Sequence, residues 1–197
     1  MKKLGIVLLA LLIFVSTRIY AQMSSLGHYL ESCPFLSEAN KKSLIIREEQ
    51  EPRTLDAVFS TPTSSLSSCY IRLYPMVNGT PLIAVIERIT EPSLDCGLSF
   101  YTPEWVPIEP EALIRLPQGE DFLSHFEGNG SVEAARLRQL LYPLHYDISW
   151  SDEGSVIITA SLSLSQEDKQ SEALKDLIDR LPKYKFEWKN YRFEAMK

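Results

Sequence analysis

Residues 69–86 read CYIRLYPMVNGTPLIAVI, and the fold class turns on them. Cys69, Ile71 and Leu73 alternate with Tyr70, Arg72 and Tyr74. That period of two is the mark of a half-buried strand, whose successive side chains leave on opposite faces. Asn78-Gly79 follows, a pair suited to the two positive-φ positions of a type I′ hairpin turn. Beyond Pro81, Leu82 to Ile86 is apolar at every position, which predicts a central strand covered on both faces. Glu91-Pro92-Ser93 supplies a second turn, and Asp95 to Tyr101 a third strand with Cys96, Leu98 and Phe100 on one side. Three strands joined by short turns make an antiparallel meander.

Working outward, Leu55, Ala57 and Phe59 alternate in the same way. Before them, Ser37 is placed to cap a helix running to about Glu49, with Leu44-Ile45-Ile46 as its buried face and Pro52 closing it. Ser24 to Tyr29 predicts a shorter helix that ends near Cys33-Pro34. Residues 102–130 carry Pro103, Pro107, Pro110, Pro117, Gly119, Gly128 and Gly130, and read as a connector with one short helix around Glu120 to Phe126. Ser131 caps a helix whose Leu137, Leu140 and Leu141 share a face. Leu144, Tyr146, Ile148 and Trp150 then alternate into the turn Ser151-Asp152-Glu153-Gly154, and Val156, Ile158, Ala160 and Leu162 alternate on the return. Ser165 with Asp168 opens a last helix, striped by Leu174, Leu177, Ile178 and Leu181 and stopped by Pro182. Tyr184, Phe186 and Trp188 alternate in a final strand. The architecture expected is α+β: antiparallel meanders with packed helices, in two similar α-plus-β halves at residues 22–101 and 131–197.

The segment before residue 22 is an address rather than structure. Met1-Lys2-Lys3 is positive, Leu4 to Phe14 is apolar, and Ser16 to Ala21 is a polar exit ending in a small residue, the three parts of a secretory signal peptide. The apolar run is too short for a hydrocarbon core of roughly 30 Å. Cleavage after Ala21 gives a periplasmic or secreted chain starting at Gln22, with Cys33 too far downstream to be a lipidated first residue. Removing Lys2, Lys3 and Arg18 from 20 basic residues leaves 17 against 26 acids, a net charge of −9. Such a chain repels polyphosphate, which argues against nucleic acid as a partner. Cys33, Cys69 and Cys96 are an odd set for an oxidising compartment. On neighbouring-but-one strands Cys69 and Cys96 stand about 10 Å apart, beyond the roughly 7 Å a disulfide bridges; Cys33 remains able to pair with either.

Chemistry is thinly written. No Gly-rich phosphate loop, zinc-type Cys pair, His-Glu-x-x-His helix, EF-hand loop or Gly-x-Ser-x-Gly elbow occurs. One enzymatic constellation can be assembled: Cys96 as nucleophile, His125 or His145 as base, Asp147 as orienter. Against it, Cys96 falls on the apolar face of its strand, where desolvation blunts a thiol. His28, His125 and His145 lie in three separate segments, which argues against a metal. Glu87, Glu91 and Asp95 read as a solvated acidic turn rather than a glycosidase pair or calcium site. Trp105, Trp150 and Trp188 offer a sugar-stacking platform, but Trp150 and Trp188 sit on the apolar phase of their strands, which assigns them to core.

The run from Arg72-Leu73-Tyr74-Pro75 through Ile89-Thr90-Glu91-Pro92, Asp95 and Phe100-Tyr101 to Trp105 and Pro107 resembles an exported Bacteroidales family catalogued as a domain of unknown function, number 3256. The order at the start, cleavage before a Gln and then helix, Pro and helix, is similar, as is the terminal aromatic strand with Trp188 and Tyr191-Arg192-Phe193. The chain departs from that family at Cys33-Pro34-Phe35-Leu36, where a Met-Pro-Asp-Ser stretch is usual, and around Ser60 to Ser68, which lack its Gly-Gly and Asp-Tyr-Leu signals. The resemblance implies an exported α+β protein and lends no catalytic residue. The function expected is a non-catalytic envelope module for a protein or glycan partner, needing no cofactor; the rival is an envelope hydrolase with a Cys nucleophile.

Overall fold

The computed structural model describes residues 26–34, 45–48, 55–61, 67–77, 79–90, 93–126 and 130–196. The expected signal segment and the stretch 37–44 of the expected second helix lie outside them. Alternating residues pair into two antiparallel meanders. The first sheet holds, side by side in chain order, β1 (Ile45–Glu48), β2 (Leu55–Thr61), β3 (Ser67–Pro75), β4 (Pro81–Ile89), β5 (Asp95–Tyr101) and β6 (Pro107–Ile108). The second holds β7 (His145–Trp150), β8 (Val156–Ser161), β9 (Tyr184–Lys189) and β10 (Arg192–Ala195), again in chain order. The helices described are α1 (Leu26–Glu31), α2 (Gly119–Leu123), α3 (Val132–Leu140), α4 (Gln166–Gln170) and α5 (Glu172–Asp179). The α+β architecture of two like meanders is the one the periodicity predicts.

Three cores follow from which faces the strands present. Between the sheets, Tyr74, Leu82, Ala84, Ile86, Cys96, Leu98 and Phe100 meet Ile148, Val156, Ile158, Phe186 and Phe193. On the other face of the first sheet, Cys69, Ile71, Leu73, Ile83 and Val85 are covered by Leu30 and Cys33 of the α1 segment and by Trp105. The third core joins Phe122, Phe126, Ala134, Leu137, Leu141, Leu174 and Leu177, with Leu144, Tyr146, Ala160 and Tyr184 packed against them. One face of the second sheet thus serves two cores: its Ile148 end meets the first sheet and its Leu144 end meets the helices.

Four local expectations are corrected. Residues 45–48 are not the end of a helix: Ile45-Ile46 are β-branched and pair with Val58 and Ala57 as an edge strand. β3 is not half-buried, since Arg72 and Tyr74 are as buried as Ile71 and Leu73, because the second sheet covers the face that alternation assigned to solvent. Nor is the β3–β4 connection a two-residue turn: Pro75 pairs with Pro81, the Gly79 N–H donates to Met76 O, and Gly79 alone supplies the described positive φ, +76°. A two-residue turn of that kind joins β9 to β10 instead, at Asn190 and Tyr191 with φ of 49° and 61°. Finally, the last helix is two. Ser171 takes an extended conformation, ends α4, and caps α5 through its hydroxyl, which accepts from the Leu174 N–H at 3.2 Å.

Helix α4 is tied to α3 by one carboxylate. Asp168, with its side chain 7% exposed, accepts from Arg136 Nε at 2.8 Å and Nη2 at 2.9 Å. It also accepts from the Ser165 N–H at 3.0 Å and the Ser165 hydroxyl at 2.8 Å. The Arg136 hydrogen bonds, then those of Ser165, hold its carboxyl well below the usual carboxylate range. A group so depressed contributes stability that is present above its unfolded pKa of about 3.9 and is lost as pH falls through the folded value. Asp168→Asn is therefore expected to melt below the parent at pH 7, with the gap shrinking progressively below about pH 4. A gap in melting temperature that persists unchanged at pH 2.5 would contradict this.

Candidate functional site

Strand β7 lies against β5, and Cys96, His145, Asp147 and Asp95 lie along this seam. Cys96 on β5 is 4% exposed and packs in the inter-sheet core. Burial pushes its thiol pKa up, the Ile148 N–H that bonds the sulfur works the other way, and the Asp147 carboxylate raises it further. Asp147 Oδ1 approaches Arg88 Nη2 at 3.5 Å. His145 Nδ1 lies 3.1 Å from Asp95 Oδ2, close enough for an ion pair if the imidazole is protonated but outside hydrogen-bond geometry. The other oxygen of Asp95 accepts from the Tyr146 N–H at 3.2 Å, and the Ser161 hydroxyl donates to Leu94 O at 2.7 Å. Asp147 and Ile148 thus lie at Cys96 while His145 lies at Asp95, and these contacts join the edge strand β7 to β5. A nucleophilic thiol needs a depressed pKa, and this one is moved the other way. His125 belongs to the turn Ser124–Phe126, whose Phe126 joins the third core rather than the first.

A second convergence forms at the tip of the β7–β8 hairpin. Gly154 has φ +83°, and its N–H donates to Ser151 O at 2.9 Å. The Ser151 N–H donates to Ser155 O at 2.8 Å, and the Ser155 N–H to Ser151 Oγ at 3.0 Å. The first sheet reaches across to hold this tip. Arg72 Nη1 donates to Ser151 O at 3.0 Å and the Tyr74 hydroxyl to Gly154 O at 2.7 Å. The Arg72 guanidinium, on a side chain 2% exposed, stands 5.4 Å from the centre of the Trp150 ring. Beside the tip opens a cleft of about 290 Å³ whose lining includes Tyr74, Glu153, Ser155, Glu187, Trp188 and Lys189. Ser155 is 1% exposed, and its hydroxyl has no hydrogen-bond partner among the described residues.

Two further clefts carry less. One of about 540 Å³ lies between α3 and α4–α5, but its Arg136, Ser165 and Asp168 bond one another. One of about 380 Å³ runs between residues 111–115 and 192–195, where the Phe193 N–H donates to Leu113 O at 2.8 Å. Among the described residues no group of three His, Cys, Asp or Glu is placed to hold a metal, and no helix is long and apolar enough to cross a membrane.

A family model described as a protein of unknown function, DUF3256, matches residues 53–193, from just before β2 into β10. The chain belongs to the DUF3256 family. A domain of an uncharacterized protein from Porphyromonas gingivalis W83 is similar in structure, with a TM-score of 0.62 at 18% identity over 86% of this chain and 96% of that one. That likeness is one of fold. No curated protein matches.

Of the aromatic residues weighed as a sugar platform, Trp105 is core in this DUF3256 chain: it is buried, and its Nε1–H donates to Tyr29 O at 2.9 Å. Trp188 is half-buried and walls the tip cleft, its Nε1–H fixed on Pro75 O at 3.2 Å. The sequence marks Glu153 only as part of the turn from Ser151 to Gly154, and nothing in it singles out Ser155 or Glu187. The thiols divide between cores. Cys33 and Cys69 share the one beneath the first sheet, while Cys96 points to the other face. Burial, then the Glu87 carboxylate and Cys33, push Cys69 up to about 12.

Proposed function

We propose that this DUF3256 protein is an exported, non-catalytic binding module of the cell envelope, soluble after cleavage near Ala21. The observation that carries the reading is the seam between β5 and β7. Its thiol is desolvated, its carboxylates hold Arg88, His145 and the Tyr146 N–H, and the chemistry a hydrolase needs is absorbed in joining two sheets. The charged leader and the excess of acid in the mature chain support export and a partner that is protein or glycan rather than nucleic acid.

The test is binding without turnover. Purified chain 22–197 is incubated with insoluble native envelope sacculi, then sedimented, and the supernatant assayed for released fragments. The protein is expected in the pellet with no release over time. Release that continues with time and disappears in Cys96→Ala would establish the hydrolase reading instead. Intact-mass analysis of the protein from its native envelope is expected to find Gln22 first; an intact Met1 or an acylated Cys refutes export in this form.

A further inference from the structure

We propose that the cleft at the tip of the β7–β8 hairpin is a subsite for one neutral sugar ring, so that the partner of the binding module proposed above, on which this rests, is a glycan. About 290 Å³ sits at the low end of small-molecule pockets, which suits a single ring. The walls supply both halves of sugar recognition. Half-buried Trp188, backed by the buried Tyr74 ring at 5.1 Å, gives apolar surface for the C–H face of a ring. Glu153 and Glu187 give carboxylate acceptors for its hydroxyls.

Charge selects a neutral ligand. Glu153 is paired with Lys185 at 3.1 Å and Glu187 with Lys189, so the carboxylates stay as acceptors while the rim carries no surplus of either sign. An anion or metal ion finds nothing uncompensated there. A purely apolar ligand gains nothing at Ser155, whose buried hydroxyl is unpartnered among the described residues and stays so. A hydroxyl or acetamido group reaching Ser155 gives that hydroxyl the partner it lacks.

An extended peptide would dock most readily by strand addition. The strands that line this cleft offer no edge, since β3 lies between β2 and β4, and β9 between β8 and β10. The cleft is also pre-formed. Arg72 and Tyr74 clamp the tip from the first sheet, and Trp188 is fixed on Pro75 O, so little ordering is left for binding to do.

Triacetylchitotriose, cellotriose and trialanine are titrated into ¹⁵N-labelled chain 22–197, with amide and indole shifts as the readout. Triacetylchitotriose is expected to saturate with a dissociation constant of about 0.1–1 mM, moving Gly154, Ser155, Glu187 and the Trp188 indole. Ser155→Ala and Glu187→Gln are each expected to weaken it about tenfold or more, the loss of one hydrogen bond at a desolvated site. Ser155→Ala should melt with the parent, which separates lost binding from lost fold. No shift at the tip from either sugar at about 20 mM overturns the site, as does saturation untouched by both variants. Tip shifts from trialanine alone overturn the glycan assignment in favour of a peptide. If both variants still sediment with sacculi, the binding module stands and this subsite falls; fragment release removes the non-catalytic reading without moving these shifts.

Discussion

Phe193→Ala is expected to destabilise the protein by about 3–5 kcal/mol, the usual range for deleting a fully packed ring. Phe193 touches three other rings in the inter-sheet core, with centroids at 4.9 Å to Tyr74, 5.6 Å to Phe100 and 4.9 Å to Trp188. Each such pair contributes about 0.5–1.5 kcal/mol beyond area alone. The ring comes from β10, held to the connector between the two halves by the Phe193 N–H on Leu113 O. Its loss therefore opens a void between the sheets rather than at an edge. For a chain of this size the melting temperature should fall by roughly 10 °C. Thermal unfolding followed by near-ultraviolet circular dichroism measures it; a fall of under 2 °C would mean that the sheets do not pack around this ring.

Arg72→Met comes next, at about 2–3 kcal/mol, through a different term. Methionine keeps most of the aliphatic stem and loses the charged donor, so the comparison isolates the head group. The head bonds Ser151 O, which is left with the Gly154 N–H once it is gone, and stands over the Trp150 ring. Because burying a guanidinium is itself expensive, the net loss stays below that of Phe193. The distinguishing readout is local. Amide hydrogen exchange at Gly154 and Ser155 should quicken more than in β3–β5, since the tip loses its clamp. Exchange that quickens evenly everywhere contradicts a clamp at the tip.

Most of the first sheet was legible because each strand carries its own period and is bounded by Pro, Gly or Asn. What escaped was whatever a second layer decides. Arg72 and Tyr74 occupy positions that alternation assigns to solvent, and only the second sheet, some eighty residues later, makes them interior. Residues 45–48 sit between good helix formers, so a four-residue edge strand is locally masked. The Asn190-Tyr191 turn lacks the Gly that announces such turns, and β10 was read only as an aromatic ending. The site divides in the same way. Cys96, His145 and Asp147 form a group in the sequence; in the fold Asp147 lies near Cys96 while His145 faces Asp95, and burial of the Cys96 thiol alone opposes the chemistry its identity suggests. Ser155 carries no pattern at all; its significance lies in a hydroxyl left unpaired at the junction of two sheets.

The reactivity of the Cys96 thiol tests the central claim most directly. A Cys33→Ala, Cys69→Ala variant leaves Cys96 as the one thiol, and its carboxymethylation by iodoacetamide at pH 6 is followed by mass spectrometry in the folded and unfolded chain. A desolvated thiol with a raised pKa should stay unmodified in the fold and react fully once the chain is unfolded and the pH brought to 8. Rapid labelling of folded protein at pH 6 would mean an exposed thiolate beside His145 and Asp147, and the seam would then be an active site rather than a structural joint.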